Sequence, residues 1–253
     1  MSRVFPWFFD PPIAHRGLHQ AAEGAIENSL PAFEAAVAGG YGIELDVQPS
    51  ADDEPVVFHD ETLDRLTEET GPVAARKAAD LARLCLKGGG GATIPRLSDV
   101  LKAVAGRVPL FIEIKALRRR VGRVEARIAD LIAHYDGPAA VQSFDPRVVR
   151  WFAEEAPAIP RGQIATVSYR RSGGNVSWPE RWRRAELAYN PLTRPDFVSY
   201  DVRALPHPAT RRVRREGIPL LAWTVRDRQG ERRAHEHADN LVFEGFTPSP
   251  GPL

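Results

Sequence analysis

The chain has 253 residues, of which 43% are hydrophobic and 26% charged, so it can bury a sizeable core. Its 34 basic and 33 acidic side chains leave a net charge of +1, which gives no bias toward nucleic acid or acidic membranes. A single cysteine, Cys85, excludes an intrachain disulfide and a multi-cysteine zinc site, and we expect it to be a small buried residue.

No run approaches the roughly 20 apolar residues of a membrane span, so we expect a cytoplasmic protein with no transmembrane segment. The N-terminal aromatic cluster Phe5–Phe9 is too short for the core of a signal peptide and carries an internal proline. It could make a peripheral membrane contact, but we favour a segment that plugs the bottom of the domain. The sequence leaves the oligomeric state open.

The first predicted elements are a short strand, Pro12–Ala14, which ends at His15, and a helix from about Leu30 to Ala38. The apolar residues of this helix recur at spacings of three and four, as one buried helical face requires. Asn28 and Ser29 precede it, and both residue types can cap the first turn of a helix.

The next strand begins at Gly42, and its polar and apolar residues alternate with the period of two that a half-buried strand shows. Glu44 and Asp46 therefore point to the same face, roughly 7 Å apart along the strand. A proline-rich turn follows, and a second apolar strand, Val56–Phe58, ends in His59.

Residues 61–96 interrupt the alternation of strands and helices. We predict a helix at about 75–86 and a flexible turn at the four glycines 88–91, with Ser98 capping the helix that comes next. We interpret this stretch as a small insertion that covers the strand ends within a single domain spanning residues 1–253.

From residue 110 the alternation is regular. Predicted strands lie at 110–114, 139–144, 161–166, 197–200 and 219–224, with helices at about 119–134, 207–216 and 227–236 and another after Asp145-Pro146. Residues 167–195 are arginine-rich and resemble an active-site loop plus a helix, and residues 241–243 are a candidate final strand.

Counting one strand at each apolar run from Ile13 to Leu221, Val56 included, gives about eight. Alternating strands and helices in that number predict an α/β fold, a TIM-type (β/α)8 barrel with a small insertion after the third strand. An open doubly wound sheet is the alternative, and the lack of a Gly-x-Gly-x-x-Gly run after the first strand weakens it.

Catalytic groups of such barrels collect at the C-terminal ends of the strands. Five residues fall on or near those ends of four different predicted strands: His15, Glu44, Asp46, His59 and Glu113. The three carboxylates suit a divalent cation that prefers oxygen ligands, Mg²⁺ or Ca²⁺.

Five short motifs in this region resemble those of the glycerophosphodiester phosphodiesterases, and they occur in that family's order. They are His15-Arg16-Gly17, Glu27-Asn28-Ser29-Leu30-x-Ala32-Phe33, Gly42–Val47, Val56–Asp60 with Leu63-Asp64-Arg65, and Phe111–Lys115. The resemblance covers residues 13–115, whereas the second half matches only in element order and in pieces such as Ala222–Val225. It implies that Glu44, Asp46 and Glu113 are the metal ligands and that His15 and His59 are the catalytic acid and base.

The implied activity is metal-dependent hydrolysis of small-molecule glycerophosphodiesters to sn-glycerol 3-phosphate and an alcohol. Such a site must neutralise the phosphate, supply a nucleophile and protonate the leaving alkoxide. Arg16 and Lys115 are candidates for holding phosphate oxygens. Which histidine is the acid stays open, as does whether water or the glycerol 2-hydroxyl attacks first.

Three further residues are candidates for the substrate site. Glu27 and Asn28 lie at the site in the family, although here the pair could be only a helix cap. Trp223 could line the pocket for the glycerol or the head group, but a tryptophan in the core is nearly as plausible. Asp60 and Arg65 are expected to support the site or the fold.

Two other functions compete with this hypothesis. The same scaffold could act on lipids, as a lysophospholipase D or a phosphoinositide phospholipase-like enzyme, and an exposed hydrophobic rim would favour that. A non-catalytic module binding sugar phosphates or lipids is disfavoured because both histidines and all three carboxylates are intact. The head-group preference stays open, since Phe243–Phe246 departs from the family's usual sequence near the end of the chain.

Overall fold

The computed structural model describes residues 5–116, 121–167 and 177–249, and within these residues the chain forms nine strands. The strands are β1 (Ile13–Ala14), β2 (Gly42–Pro49), β3 (Pro55–Val57), β4 (Leu110–Ile114), β5 (Ala139–Ser143), β6 (Arg161–Ala165), β7 (Phe197–Asp201), β8 (Leu220–Val225) and β9 (Asn240–Phe243).

The α-helices of the described residues are α1 (Leu30–Ala38), α2 (Ala78–Leu81), α3 (Leu97–Val104), α4 (Arg123–Ala133), α5 (Pro146–Glu155), α6 (Trp178–Ala185), α7 (Asn190–Thr193), α8 (Pro208–Arg215) and α9 (Arg228–His237). Short 3₁₀ turns lie at Pro6–Phe8, Ala21–Glu23, Val73–Ala75 and Val202–Ala204. Most bounds agree with the sequence to within two residues, although the helix predicted from residue 119 begins at Arg123, and residues 117–120 lie outside the described ranges.

The strands form one sheet in the order β1-β9-β8-β7-β6-β5-β4-β2-β3, and β1 also pairs with β2, so the sheet closes. The predicted (β/α)8 barrel is confirmed, but one of the eight strands predicted for it is not a barrel strand. β3 pairs antiparallel with β2 and forms a hairpin rather than a barrel strand. The eighth parallel strand is β9, which the sequence offered only as a candidate.

The chain divides into two compact units, Ile13–Val141 and a second unit of Met1–Pro12 with Gln142–Leu253. Whether they form the single domain expected from the sequence stays a prediction. In the first unit, β1, β2 and β4 are parallel neighbours. α1 begins where predicted, because the Ser29 hydroxyl accepts a hydrogen bond from the Ala32 amide.

The predicted insertion between β3 and α3 packs into a small hydrophobic cluster that it shares with β3 and with the loop before α1. Its buried members are Ile26, Val56, Phe58, Leu63, Val73, Ala78, Leu81, Leu86 and Ile94. The helix predicted at 75–86 is wrong, since only the single turn of α2 forms, and so short a helix depends on packing rather than on propensity. Cys85, expected to be buried, is exposed.

The start of α3 also differs from the prediction. The helix begins at Leu97, one residue before the predicted cap, and the carboxylate of Asp99 accepts a hydrogen bond from the Arg96 amide. A carboxylate in the third helical position satisfies a free amide of the first turn, so Ser98 is not needed as a cap.

In the second unit, β6 to β9 are parallel neighbours, and the N-terminal aromatic segment packs at their N-terminal ends. Phe8 is fully buried against Phe197, the first residue of β7, with the ring centres 4.9 Å apart. The Asn240 side chain, at the start of β9, donates hydrogen bonds to the carbonyls of Phe8 and Pro11. The plug predicted from the sequence is therefore confirmed.

Residues 167–195 contain α6 and α7, in part as predicted, and residues 168–176 lie outside the described ranges. Among the described helices, none combines the length and the apolar composition that a membrane crossing requires.

Candidate active site

Strand register brings the predicted metal ligands together in the first unit. Asp46 on β2 pairs with Glu113 on β4, so the two carboxylates lie side by side. The pairing of Ala14 with Ile43 places His15, the next residue after β1, beside Glu44, where His15 Nε2 lies 3.9 Å from Glu44 Oε2. Oxygen atoms of Glu44, Asp46 and Glu113 all lie within 4.8 Å of one another.

The β2–β3 hairpin brings His59 to the same face. Because β3 runs back along β2, the Phe58 amide donates a hydrogen bond to the Asp46 carbonyl at 3.0 Å. The buried side chain of Gln48 then donates to the carbonyls of Phe58 and Asp60, at 2.8 and 2.7 Å. These two bonds fix the backbone on both sides of His59. The prediction that His59 ends a parallel barrel strand is wrong, because it follows the antiparallel strand β3.

The carboxylates on β2 have opposite electrostatic environments, although both are almost completely buried. Burial raises the pKa of Glu44 well above its ordinary value, and repulsion from Asp46 and Glu113 adds to this effect. Burial would also raise the pKa of Asp46, but Lys115 and Arg16 outweigh it and hold that pKa well below the usual range. Asp46 is therefore ionised at neutral pH, whereas Glu44 loses its proton less readily.

Lys115 and Arg16 are drawn into the carboxylate cluster. Lys115 Nζ lies 2.7 Å from Asp46 Oδ1 and also forms an ion pair with Glu113 Oε1. Arg16 Nε lies 3.3 Å from Asp46 Oδ2, and its backbone amide donates to Glu44 Oε2 at 3.1 Å. Attraction to these carboxylates raises the pKa of Arg16 and of Lys115 despite their burial, so both stay charged.

A chain of ion pairs connects Arg16 to the His59 imidazole. Arg16 Nη1 donates to Glu27 at 2.7 Å, and the guanidinium of Arg65 donates to both oxygens of Glu27. Arg65 also donates to both oxygens of Asp60, whose Oδ1 lies 2.7 Å from His59 Nδ1.

The acidic members of this chain stay ionised. Burial would raise the pKa of Glu27 and of Asp60, but hydrogen bonds, first among them those from Arg65, lower both. Because an ionised carboxylate can only accept, His59 Nδ1 carries the proton in this contact and Nε2 is left for other partners.

Asn28 holds Asp46 in place rather than capping the helix. Its side-chain amide donates to Asp46 Oδ2 at 2.8 Å, and its oxygen accepts from the Asp46 amide at 3.1 Å. Asn28 and Arg16 both have a φ of 58°, a left-handed conformation that non-glycine residues seldom adopt and that often occurs at functional sites. Position 17, with a φ of 80°, requires glycine, since a Cβ there would lie 2.9 Å from the Ala32 backbone.

The donor set fits a divalent cation. The site contains five carboxylates, of Glu27, Glu44, Asp46, Asp60 and Glu113, and three cationic side chains, of Arg16, Arg65 and Lys115. With all five carboxylates ionised and both histidines neutral, the formal charge is −2, which one divalent ion would balance. Glu44 Oε1 is buried and has no hydrogen-bond partner within the described part of the chain. Clustered buried carboxylate oxygens are the ligands that Mg²⁺ and Ca²⁺ prefer.

Of the predicted site residues, only Trp223 lies in the second unit. Its ring packs edge-on against Phe144 at 5.3 Å, and its buried Nε1–H has no acceptor among the described residues. The sequence assigned no role to Gln48 and gave Asp60 and Arg65 only a supporting one. Gln48 could have been found, because it continues the face of β2 that carries Glu44 and Asp46.

The closed barrel and the buried acidic cluster define the class, a (β/α)8 protein whose carboxylates can hold a metal ion. Residues 15–242 match the profile of the glycerophosphoryl diester phosphodiesterase family, and the chain belongs to this family. It is therefore an enzyme, a phosphoric diester hydrolase.

Three relatives illustrate the similarity. YhdW of Bacillus subtilis is 31% identical over 86% of both chains, and its name places it among the glycerophosphodiester phosphodiesterases. A glycerophosphodiester phosphodiesterase of Caldanaerobacter subterraneus is 28% identical over 92% of this chain and 93% of its own length. An Oleispira antarctica phosphodiesterase, solved with its product sn-glycerol-3-phosphate, shares the fold with a TM-score of 0.76 at 23% identity, over 93% of both chains.

Proposed function

We propose that the protein hydrolyses glycerophosphodiesters to sn-glycerol 3-phosphate and an alcohol, and that the reaction depends on a divalent cation. The observation that carries this proposal is the buried cluster of Glu44, Asp46 and Glu113 with His15 and His59 beside it, in a chain of this family. His15 Nε2 lies 3.9 Å from Glu44 Oε2, and the backbone that carries His59 is bonded to β2 through the Phe58 amide and the Asp46 carbonyl.

Glu44, Asp46 and Glu113 would hold the cation, Mg²⁺ or Ca²⁺. When bound, it would supply positive charge for the phosphate oxygens and for the charge that develops during displacement. Such an ion would give a partner to Glu44 Oε1, the buried oxygen without a hydrogen bond among the described residues.

Arg16 and Lys115 are proposed to hold non-bridging oxygens of the phosphodiester. Glu27 restrains the Arg16 guanidinium from one side and Asp46 from the other, which leaves the planar group little freedom to turn away. A cation held in place before the substrate arrives stabilises developing negative charge without reorganising.

His59 is proposed as the general base. The Asp60 carboxylate holds the proton on His59 Nδ1, so the lone pair of Nε2 can accept a proton from the attacking hydroxyl or water. His15 is then left to protonate the alkoxide of the departing alcohol. Asn28 positions Asp46 through its two hydrogen bonds, and Trp223 is proposed to contact the head group through its Nε1–H.

The test is a comparison of substrates with purified protein. We expect sn-glycerol 3-phosphate from glycerophosphocholine or glycerophosphoethanolamine when Mg²⁺ or Ca²⁺ is present, and none in EDTA. Choline release from lysophosphatidylcholine without turnover of the deacylated substrates would replace the proposal by the lipid-directed alternative. No turnover of either class by folded protein with any metal would favour a binding module.

A further inference from the structure

The described residues leave four large hydrophobic side chains exposed, and all four belong to one segment, residues 167–192. They are Val167, Trp178, Trp182 and Leu192, of which Trp178 is the most open at 77% exposure. Single exposed apolar residues scattered over a surface need no explanation, but two exposed indoles on one short helix do. Only these two of the five tryptophans are exposed.

The two indoles stand on the same face of α6. At 3.6 residues per turn, positions four apart differ by about 40° around the helix axis, so Trp178 and Trp182 point in nearly the same direction. Arg181 and Arg183 fall on either side of them. The outward face of α6 therefore carries two aromatic side chains, with the exposed Arg183 on one flank and the half-buried Arg181 on the other.

The opposite face of α6 is held by the second unit of the chain. Arg184 pairs with Glu180 at 2.7 Å, and Glu180 also accepts a hydrogen bond from the Tyr189 hydroxyl at 2.5 Å. Arg184 reaches the carbonyl of Phe144, which follows β5, and the hydroxyl of Tyr200 donates to the Ala185 carbonyl.

These contacts fix the rotation of the helix, so the exposure of the two tryptophans is a property of the folded chain. They also place α6 at the C-terminal ends of β5 and β7 within its own unit, the end of the strands at which (β/α)8 enzymes carry out their chemistry.

The local charge is positive although the chain as a whole is nearly neutral. Residues 177–194 carry four arginines against two glutamates, a formal charge of +2. Of the two glutamates, Glu180 is already bonded to Arg184, and Glu186 lies near His207, whose Nε2 is 3.8 Å away. The surface that surrounds the indoles is thus complementary to negative charge.

We propose that the outward face of α6 docks the enzyme on a lipid surface that carries anionic headgroups. Tryptophan prefers the boundary between headgroups and acyl chains, because its ring is apolar and its N–H is polar. Arginines beside it are attracted to anionic lipid. The proposal concerns binding alone and does not depend on the proposed reaction.

The test measures the partition of the full-length protein onto vesicles by cosedimentation. We expect binding to vesicles of equal parts phosphatidylcholine and phosphatidylglycerol, weaker binding to phosphatidylcholine alone, and a decrease with added salt. Trp178→Ser with Trp182→Ser should lower the partition coefficient by about tenfold or more, and each of Arg181→Gln and Arg183→Gln by roughly fivefold on the anionic vesicles only.

Two matched variants control for general effects. Trp151→Phe alters a half-buried tryptophan of α5, and Arg83→Gln removes an arginine with 80% side-chain exposure from the other unit. Neither should change the partition coefficient. In the unaltered protein, tryptophan emission should shift to shorter wavelength when anionic vesicles are added, and the double tryptophan variant should lose this shift.

Two results would overturn the proposal. One is the absence of binding to vesicles of either composition, and the other is binding that the α6 variants leave unchanged. A concentration-dependent dimer in sedimentation velocity, abolished by the tryptophan variants and accompanied by no vesicle binding, would assign the face to a second copy of the chain instead. Circular dichroism melting curves should be the same for all the α6 variants, because none of their substituted side chains is buried in the core.

Discussion

Replacing Asp60 by asparagine tests whether the ion-pair chain behind His59 serves catalysis. The substitution keeps the size of the side chain but removes the charge that Arg65 and His59 share. In the structure Asp60 Oδ1 lies 2.7 Å from His59 Nδ1, and Oδ2 lies 2.5 Å from Arg65 Nε. The asparagine side chain could satisfy one of these donors with its oxygen, but its amide group would face the other.

The size of the effect follows from the kind of bond that is lost. A hydrogen bond to a charged group contributes about 1.5–3 kcal/mol, and about 1.4 kcal/mol corresponds to a factor of ten in rate. Because His59 is one-third exposed, water screens the pair and the lower part of this range applies. We expect kcat to fall by about 10- to 50-fold while KM changes little, since Asp60 acts through His59 rather than on the substrate.

The assay is steady-state turnover of glycerophosphocholine with saturating Mg²⁺ or Ca²⁺. Asp64→Asn is the matched control, because Asp64 is an exposed carboxylate in the same loop that accepts a hydrogen bond from the Gly71 amide. It should stay within about twofold of the unaltered enzyme. If Asp60→Asn kept the same kcat as Asp64→Asn, Asp60 would not position His59 for proton transfer.

Three further predictions test the catalytic roles and the fold. His15→Ala and His59→Ala should each lower kcat by about 10²–10⁴-fold without changing the melting temperature. His134→Ala, which alters a side chain that is 79% exposed, should leave kcat unchanged. Near-normal rates in both site variants would remove the acid/base assignment. Phe8→Ala should lower the free energy of unfolding in urea by about 3–5 kcal/mol, because the ring is fully buried, and a loss below about 1 kcal/mol would show that the plug contributes little. Burial would raise the pKa of Asp201, but hydrogen bonds lower it below the ordinary carboxyl value. The ionised carboxylate therefore stabilises the folded protein by about 1–2 kcal/mol at pH 7, and this contribution is lost as the pH falls through the lowered pKa. The difference in unfolding free energy between the unaltered protein and Asp201→Asn should therefore shrink as the pH falls below the ordinary carboxyl range, and a difference that stays constant would refute this account.

The sequence predicted the barrel because its strands and helices alternate regularly, but it could not reveal the direction of every strand. Val56 and Val57 were counted as a barrel strand, since a short apolar run is the same whether its neighbour is parallel or antiparallel. The length of the connection carried the missing signal. Only residues 50–54 separate β2 from β3, and a parallel crossover needs about a dozen residues or more.

The contacts within the candidate site could also be predicted only in part from the sequence. The period of two on β2 was enough to place Glu44 and Asp46 on one face, and the motif around residues 111–115 brought Glu113 beside them. The bonds of Arg65 to Glu27, however, join residues 38 positions apart across two loops, and no local pattern encodes such a pair. Lys115 was a candidate from the sequence for holding phosphate oxygens, but its ion pair with Asp46 on the neighbouring strand was not predicted.

The exposed indoles of α6 were also missed, although Trp178 and Trp182 are visible in the sequence. Hydrophobic residues four apart usually mark the buried face of a helix, and only the contacts of Glu180 and Arg184 show that the other face is the inner one here. The aromatic cluster that did suggest a lipid contact, at Phe5–Phe9, instead buries Phe8.

The central claim is that Glu44, Asp46 and Glu113 hold a divalent cation that the hydrolysis requires. The most direct measurement removes metal with EDTA and then titrates Mg²⁺ or Ca²⁺ back, following both calorimetric binding and sn-glycerol 3-phosphate release in the unaltered protein and in Glu44→Gln. We expect no turnover before metal is added, recovery that follows binding, and a metal affinity at least about tenfold weaker in Glu44→Gln. Full turnover in EDTA, or identical titrations for the two proteins, would contradict the account.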